Sequence, residues 1–239
     1  MSRALLLLVV LAGLVAACED KYKDPDPKVM GYDYYPLEVG DWRIYDVIDI
    51  RYMSDVGDTT RFQLRERVDT TFYDQTNTLN YKIIRSVRAN ENTPWVDDSV
   101  MTVVKTDLHV ILTKNNTKYV KMVFPVKEGK IWAGDAYNDR VNSSSEKEPY
   151  TFDKLGESFT VNGVTYDSTV TVIQGEPTED LSTLDERKEV YSKGVGAIYR
   201  LFNRIVYCRD TESKECPFGE GYKIHGHERH EKLISHGKE

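Results

Sequence analysis

The stretch "WRIYDVIDIRY", from Trp42 to Tyr52, alternates apolar and polar side chains with a period of two. The Trp and the isoleucines share one face and the charged residues share the other: Trp42, Ile44, Ile48 and Ile50 against Arg43, Asp49 and Arg51. A period of two is typical of a half-buried β-strand. The stretch therefore predicts that the chain builds β-sheet.

Nine further stretches have the same alternation and the same excess of Val, Thr and Tyr. They are "RFQLRERVDTTFY", "LNYKIIRSVRA", "SVMTVVKTD", "LHVILTKN", "TKYVKMVFP", "STVTVIQGE", "RKEVYSKG", "GAIYRLFNRIVYC" and "GYKIHGHERHEKLIS". Turn sequences such as "SDVGD", "KNNTK" and "VNGVT" separate them. The pattern predicts an all-β fold, a single antiparallel domain that is an open or half barrel or a β-sandwich. A weak helix candidate is "TEDLSTLDE".

The first 17 residues have the three parts of a secretory signal peptide. Arg3 is followed by the apolar run "ALLLLVVLAGLV", whose 12 residues are fewer than the roughly 20 that a transmembrane helix needs. The small residues before Cys18 resemble a bacterial lipobox, in which the thiol receives diacylglycerol and the new amino group an acyl chain such as palmitate. We expect residues 1–17 to be removed and Cys18 to anchor the protein in the membrane. An ordinary signal peptide with an incidental cysteine is the alternative.

Residues 18–33 read as a polar tether, and residues 34–239 as the β domain. The acids directly after Cys18 resemble the export signal of Bacteroidetes-type surface lipoproteins. That resemblance implies an outer-membrane protein on the cell surface, with the periplasmic face as the alternative. The chain has 239 residues with 32 Lys and Arg against 39 Asp and Glu. An acidic protein without a cluster of basic residues argues against a nucleic-acid partner.

One motif occurs twice. "YPLEVGDWRIY", residues 35–45, and "FPVKEGKIWAG", residues 124–134, share an aromatic-Pro-aliphatic start, a Gly and a nearby Trp. They indicate either two similar half-sheets or a common way of starting a strand. The first motif together with "EVYSKGVGAIYR", residues 189–200, resembles uncharacterised Bacteroidetes-type outer-membrane lipoproteins. The resemblance implies a curved β-sheet around a cleft and no active-site residue.

Three groups of residues are candidates for chemistry. His225 and His227 in "HGHERH" lie on one strand face and are a possible metal pair, although a solvated edge strand explains them as well. Gly194 and Gly196 indicate a turn or bulge rather than a nucleotide loop. Four acids lie near the tryptophans in the sequence: Asp97, Asp98, Asp135 and Asp139. Carboxylates beside aromatic rings are the residue types that a glycoside hydrolase uses, but solvated loops explain them better.

Two classes of function remain open. The favoured class is a non-enzymatic binding or accessory module for a glycan, an envelope protein or an apolar ligand, with no cofactor. The rival is a carbohydrate-active hydrolase that uses the loop carboxylates. Trp95, Trp132, Tyr34 and Tyr35 are the candidate ligand-binding residues, because aromatic faces stack on sugars and apolar groups. In the alternative interpretation these aromatic residues are part of the hydrophobic core and bind no ligand.

Cys208 and Cys216 remain after Cys18 is lipidated. Two cysteines in an exported domain predict a disulfide, which the flanking strand patterns place at the base of a hairpin loop. In that register Arg204 faces Glu220 and Phe202 faces Tyr222. Two free thiols near the histidines are the alternative.

Overall fold

Two short helices and fifteen strands make up the part of the chain that the computed structural model describes, residues 26–138, 147–212, 215–216 and 218–239. The α-helix α1 spans Pro27–Met30 and a 3-10 helix spans Tyr32–Tyr34. The strands are β1 Asp41–Met53, β2 Val56–Tyr73, β3 Leu79–Arg88, β4 Val96–Lys105, β5 His109–Lys114, β6 Thr117–Val123, β7 Ile131–Ala133, β8 Pro149–Asp153, β9 Phe159–Val161, β10 Val164–Tyr166, β11 Thr169–Gln174, β12 Thr178–Glu179, β13 Thr183–Ser192, β14 Gly196–Tyr207 and β15 Lys223–Lys238.

One large antiparallel sheet contains thirteen of these strands, in the order β6-β5-β4-β3-β2-β1-β15-β14-β13-β11-β8-β7, with β12 paired to β13. The two ends of the sheet meet. Val120 N–H on β6 donates to Gly134 O just after β7 at 2.8 Å, and Trp132 Nε1 donates to Val120 O at 2.8 Å. The predicted all-β antiparallel fold is confirmed, and the sheet is a nearly closed, barrel-like one.

Hairpin turns follow the predicted sequences. Ser54 and Asp55 join β1 to β2, Asn115 and Asn116 join β5 to β6, and Asn162 and Gly163 join β9 to β10. All six residues have positive φ, as two-residue turns that match the right-handed twist of the strands require. The weak helix candidate is wrong, since residues 178–186 form β12, a turn and the start of β13.

The segment of residues 27–40 covers one end of the barrel-like sheet. Tyr34 and Leu37 are buried there in the larger apolar core cluster. Lys105 Nζ donates to the carbonyls of Tyr32 and Tyr35 at 2.9 and 2.7 Å, which ties the segment to β4. Tyr32, which the sequence analysis placed in the tether, is therefore in contact with the β domain.

A second apolar cluster lies where the β9–β10 hairpin packs on the large sheet. It contains Tyr45, Val161, Ile198 and Leu233, and Asn162 Nδ2 donates to Leu233 O at 2.9 Å. Within the described part of the chain, no helix is both long and apolar enough to cross a membrane. The predicted signal peptide and Cys18 lie outside the described residues.

Cys208 and Cys216 form a disulfide, with Cα atoms 5.8 Å apart. The predicted register around it is wrong, because Arg204 pairs with His227 and Phe202 with Arg229. Strand pairing stops at Tyr207, and the bridge closes a small ring inside the longer loop between β14 and β15 rather than its base.

Replacing both cysteines with serine should lower the free energy of unfolding by about 2.5 kcal/mol, because the bridge no longer restricts the unfolded chain over its short loop. Denaturant unfolding of the variant and the oxidised protein measures the difference. Reduction of the native protein is the matched control and should give the same loss. If reduction leaves the unfolding midpoint unchanged, the bridge does not stabilise the fold.

Candidate functional site

The barrel-like sheet encloses a cavity of about 870 Å³. Toward the end covered by residues 27–40 its wall is apolar and continuous with the core, and includes Leu37, Val68 and Met101. Arg51 and Arg204 line it near the opposite strand ends, and their side chains are 65% and 58% exposed. The cavity is thus closed by apolar residues at one end and reached between charged ones at the other.

A network of buried ions crosses the wall of this cavity, built by neighbouring strands. Arg200 on β14 lies opposite Glu231 on β15 and donates to it at 2.8 Å. The same guanidinium binds both carboxylate oxygens of Glu66 on β2, at 3.0 and 2.8 Å. Arg229 Nε donates to the other oxygen of Glu231 at 2.8 Å. Arg85 on β3 lies opposite Glu66 and completes the network.

The network holds its carboxylates ionised. Burial by itself would raise the pKa of Glu66, but Arg200 and Arg85 outweigh it and the pKa lies below the usual 4.5. Burial likewise opposes ionisation of Glu231, yet Arg200, Arg229 and Arg85 lower its pKa. These two acids are therefore anions at neutral pH, fixed by arginines on both sides.

A second charged group spans the cavity between strands that are distant in the sheet. Lys121 on β6 binds Glu189 on β13, and Glu189 also accepts from the Tyr191 hydroxyl. Burial raises the pKa of Tyr191, and the Glu189 carboxylate adds to that shift. On the same strand Arg187 pairs with Glu148 Oε1 at 2.7 Å. These contacts fix the positions of polar side chains around the cavity.

Aromatic rings and uncharged polar groups complete the lining. Four tyrosines line the cavity: Tyr35 and Tyr119 are partly exposed, whereas Tyr150 and Tyr191 are core residues that are each 2% exposed. Asn138 and Gln174 contribute amides, and Gln174 Nε2 is buried without a hydrogen-bond partner. Rings and free hydrogen-bonding groups of this kind are suited to a ligand with both apolar faces and hydroxyls.

The cavity is basic although the protein is acidic. Among the described residues that line it, nine are Lys or Arg and five are Asp or Glu. Two further carboxylates, Asp49 and Asp185, do not line the cavity but pair with arginines that do. Even with these two acids the site keeps a positive surplus, against a net charge of −7 for the whole chain.

Of the four predicted ligand-binding aromatics, only Tyr35 lines the cavity among the described residues. Trp95 lies elsewhere on the sheet between the guanidinium groups of Arg65 and Arg88, at 5.0 and 4.3 Å from its ring centre. Trp132 packs on Phe152 at the meeting point of β6 and β7, and Tyr34 is a core residue. These three predictions do not fit the cavity.

The two histidines predicted as a possible metal pair, His225 and His227, lie in different surroundings. His225 is exposed, while His227 contacts Asp49 through Nε2. No group of three or more His, Cys, Asp and Glu that could hold a metal ion occurs in the described ranges. The edge-strand interpretation is wrong, because β15 lies between β1 and β14.

The loop acids are not gathered into a catalytic pair. Asp97 accepts from Ser86 Oγ at 2.8 Å, and Asp98 accepts from Ser99 Oγ at 2.9 Å, both away from the cavity. Asp135 lines the cavity and accepts from the Glu148 backbone N–H at 2.9 Å. Asp139 lies outside the described residues.

Gly196 directly follows the turn between β13 and β14, in agreement with the turn that the sequence indicated. Its φ is +90°, and a Cβ there would lie 2.9 Å from Nε and Nη2 of Arg43. The glycine thus leaves room for the Arg43 guanidinium, which donates to the carbonyls of Val195 and Pro36. This contact holds the start of β14 against the segment that covers the barrel end.

Sequence reasoning missed the buried ions, although a signal was present. Glu66 stands between Leu64 and Val68, and Arg85 between Ile83 and Val87, at spacings of two residues. Side chains two apart on a strand share a face. A charge flanked in this way by apolar residues at both i−2 and i+2 therefore indicates an ion that faces the interior.

Comparison with known proteins gives a limited result. No protein-family model and no curated protein matches the chain. One similar solved structure is a Bacteroides fragilis protein assigned as exported, with a YmcC-like fold (10% identity, TM-score 0.42, 85% of this chain and 98% of that one). Another, assigned as a lipoprotein, is from Parabacteroides distasonis (10% identity, TM-score 0.37, the same coverage). The function of this chain must be argued from its own cavity.

Proposed function

We propose that the protein is a non-enzymatic binding protein that holds a saccharide in the cavity of its barrel-like sheet. We further propose that lipid on Cys18 anchors it in the outer membrane, with the domain on the cell surface. The observation that carries the first proposal is the cavity of about 870 Å³, with the partly exposed rings of Tyr35 and Tyr119 among fixed polar groups.

The lining favours a saccharide over the other ligands that the sequence left open. Sugar rings combine apolar faces, which stack on tyrosines, with hydroxyls that need donors and acceptors. Gln174 Nε2 is such a donor and has no partner in the described structure. An apolar ligand would leave this amide unsatisfied, at a cost of about 1–3 kcal/mol. A protein partner would contact the outer surface rather than the interior.

The cavity carboxylates support binding rather than hydrolysis. Most glycoside hydrolases need one carboxylic acid whose pKa is raised, so that it can protonate the leaving group. Glu66, Glu189 and Glu231, three of the five acids that line the cavity, instead have lowered pKa values. Cations more than offset burial: chiefly Arg200 for Glu66 and Glu231, and chiefly Lys121 for Glu189. Each of these three carboxylates forms an ion pair with an Arg or Lys in the wall of the cavity.

A Gln174→Leu variant should bind saccharide about tenfold more weakly and unfold at the same temperature or higher. The change removes a donor for ligand and also removes a buried amide that lacks a partner in the fold, which favours the folded state. Isothermal titration of the detergent-solubilised, full-length protein against an oligosaccharide panel measures the first effect. Thermal unfolding measures the second.

Asn203→Leu is the matched control. Asn203 Oδ1 is also buried without a hydrogen-bond partner, but this residue does not line the cavity. The control should keep the affinity of the native protein. Absence of saccharide binding by the native protein across the panel would refute the proposed function, and equal losses in both variants would place the ligand elsewhere.

A further inference from the structure

We infer that the saccharide carries an anionic substituent, a carboxylate, phosphate or sulfate, that binds between Arg85 and Lys114. The inference rests on the proposed function and names the class of saccharide. It depends on two cations of the cavity wall whose charges the protein does not fully neutralise.

Arg85 is the first of these cations. It is only 6% exposed, yet its Nε has no hydrogen-bond partner in the described structure. The nearest carboxylate contacts are Nε to Glu66 Oε1 at 3.4 Å and Nη2 to Glu231 Oε1 at 3.8 Å. Both distances are long for a charge-assisted hydrogen bond, which is typically 2.7–2.9 Å for this pair of groups.

The geometry of the network explains why Arg85 lacks close partners. Arg200 occupies both oxygens of Glu66, and Arg200 and Arg229 each occupy one oxygen of Glu231. Three arginines therefore share two carboxylates, and Arg229 has only a weaker further contact with Asp49 at 3.4 Å. Arg85 retains donor capacity that a ligand anion can use.

Lys114 is the second cation. It ends β5, lines the cavity, and forms no ion pair with any residue in the described ranges. Partial burial lowers its pKa and the positive charge of Arg85 lowers it further, while Glu231 and Glu66 act in the opposite direction. A buried ammonium beside another cation is unfavourable unless an anion joins them. The ligand group that we infer would remove this penalty.

The overall charge of the site favours the same ligand. The positive surplus of the cavity lies inside a protein of net charge −7. A concave site lined by one sign of charge attracts the opposite sign, so anionic saccharides should be concentrated at its mouth. Arg51 and Arg204, both largely exposed, stand where the ligand would enter.

Two matched ligand pairs test the inference with the detergent-solubilised, full-length protein. Tetragalacturonate is compared with its methyl ester, and N-acetylglucosamine 6-sulfate with N-acetylglucosamine. We expect at least one acidic member to bind tenfold or more tightly than its neutral partner at low salt, and to lose that preference as salt rises. The pair that shows the preference identifies carboxylate or sulfate chemistry.

Lys114→Gln should lower the affinity for the acidic ligand about tenfold and leave the affinity for the neutral ligand unchanged. Lys118→Gln is the matched control, because it removes the same charge from an exposed position on β6, and it should change neither affinity. The Lys114 variant should also remain folded, since it removes a buried charge that has no partner. Equal affinity for acidic and neutral members overturns this inference alone. Failure of all four ligands and of the whole oligosaccharide panel to bind overturns it together with the proposed function.

Discussion

Replacement of Arg200 with methionine is expected to lower the free energy of unfolding at pH 7 by about 3–5 kcal/mol. Arg200 donates to Glu66 at 3.0 and 2.8 Å and to Glu231 at 2.8 Å. Both carboxylates are buried. Without the arginine, Glu66 keeps only the longer contact with Arg85 at 3.4 Å. The variant would therefore bury a carboxylate charge that is poorly neutralised.

Arg204→Met is the matched control for this loss. Arg204 lies four residues further along β14 and pairs with Asp185 at 2.9 Å, but its side chain is 58% exposed. An exposed ion pair contributes about 0–1 kcal/mol, so the control should be close to native in urea unfolding. If the two variants lose the same stability, the buried network has no special role in the fold.

The pH dependence of the unfolding free energy gives an independent check on this stability difference. In the native protein the pKa values of Glu66 and Glu231 are lowered, so their contribution to stability is present above the ordinary value of 4.5. It is lost as the pH falls through the folded-state values. In the Arg200 variant burial is less opposed, and the pKa of Glu66 should rise. The stability gap between the two proteins should therefore be widest near pH 7 and shrink as the pH falls toward 4.5.

The strands and their turns could be predicted from the sequence because they depend on local chemistry. Period-two alternation identified all the long strands, and residues such as Asn115 and Asn116 accept the positive φ of a two-residue turn. Five short strands were missed, β7, β8, β9, β10 and β12, since two to five residues are too few to show a clear period. Their pairing depends on neighbours in the folded sheet.

The interior could not be predicted in the same way. Apolar residues normally indicate the buried face of a strand, and in β1 that rule selects Ile44 and Ile48. The structure instead buries Tyr45 and Val47 fully and turns Arg43 toward the cavity. Which face is interior depends on how the whole sheet curves, because the curvature brings the charged side chains of neighbouring strands into contact.

The candidate site was predicted poorly for a related reason. Lys121 and Glu189 are 68 residues apart and lie on strands that do not neighbour each other in the sheet. Only closure of the sheet brings them together. The disulfide, in contrast, followed from a simple count of cysteines in a chain that the sequence predicts to be exported. Its register was wrong because the loop after β14 begins at a bulge beside Tyr207, which the strand pattern does not show.

The remaining prediction with a large effect concerns the membrane anchor. In phase separation with a temperature-sensitive detergent, the full-length protein should enter the detergent phase, whereas a Cys18→Ser variant should stay in the aqueous phase. The thiol of Cys18 is where diacylglycerol would be attached. Each buried CH2 contributes about 0.8 kcal/mol, so two or three acyl chains give stable attachment and their loss removes it.

The Cys208→Ser, Cys216→Ser double variant is the control for loss of a cysteine as such. Since its two cysteines form the disulfide in the folded domain, it should enter the detergent phase as the native protein does. A Cys18→Ser protein that still enters that phase would mean that a different segment anchors the chain. The anchor and the cavity are tested by separate measurements, because the saccharide affinity of the Cys18 variant should equal that of the lipidated protein.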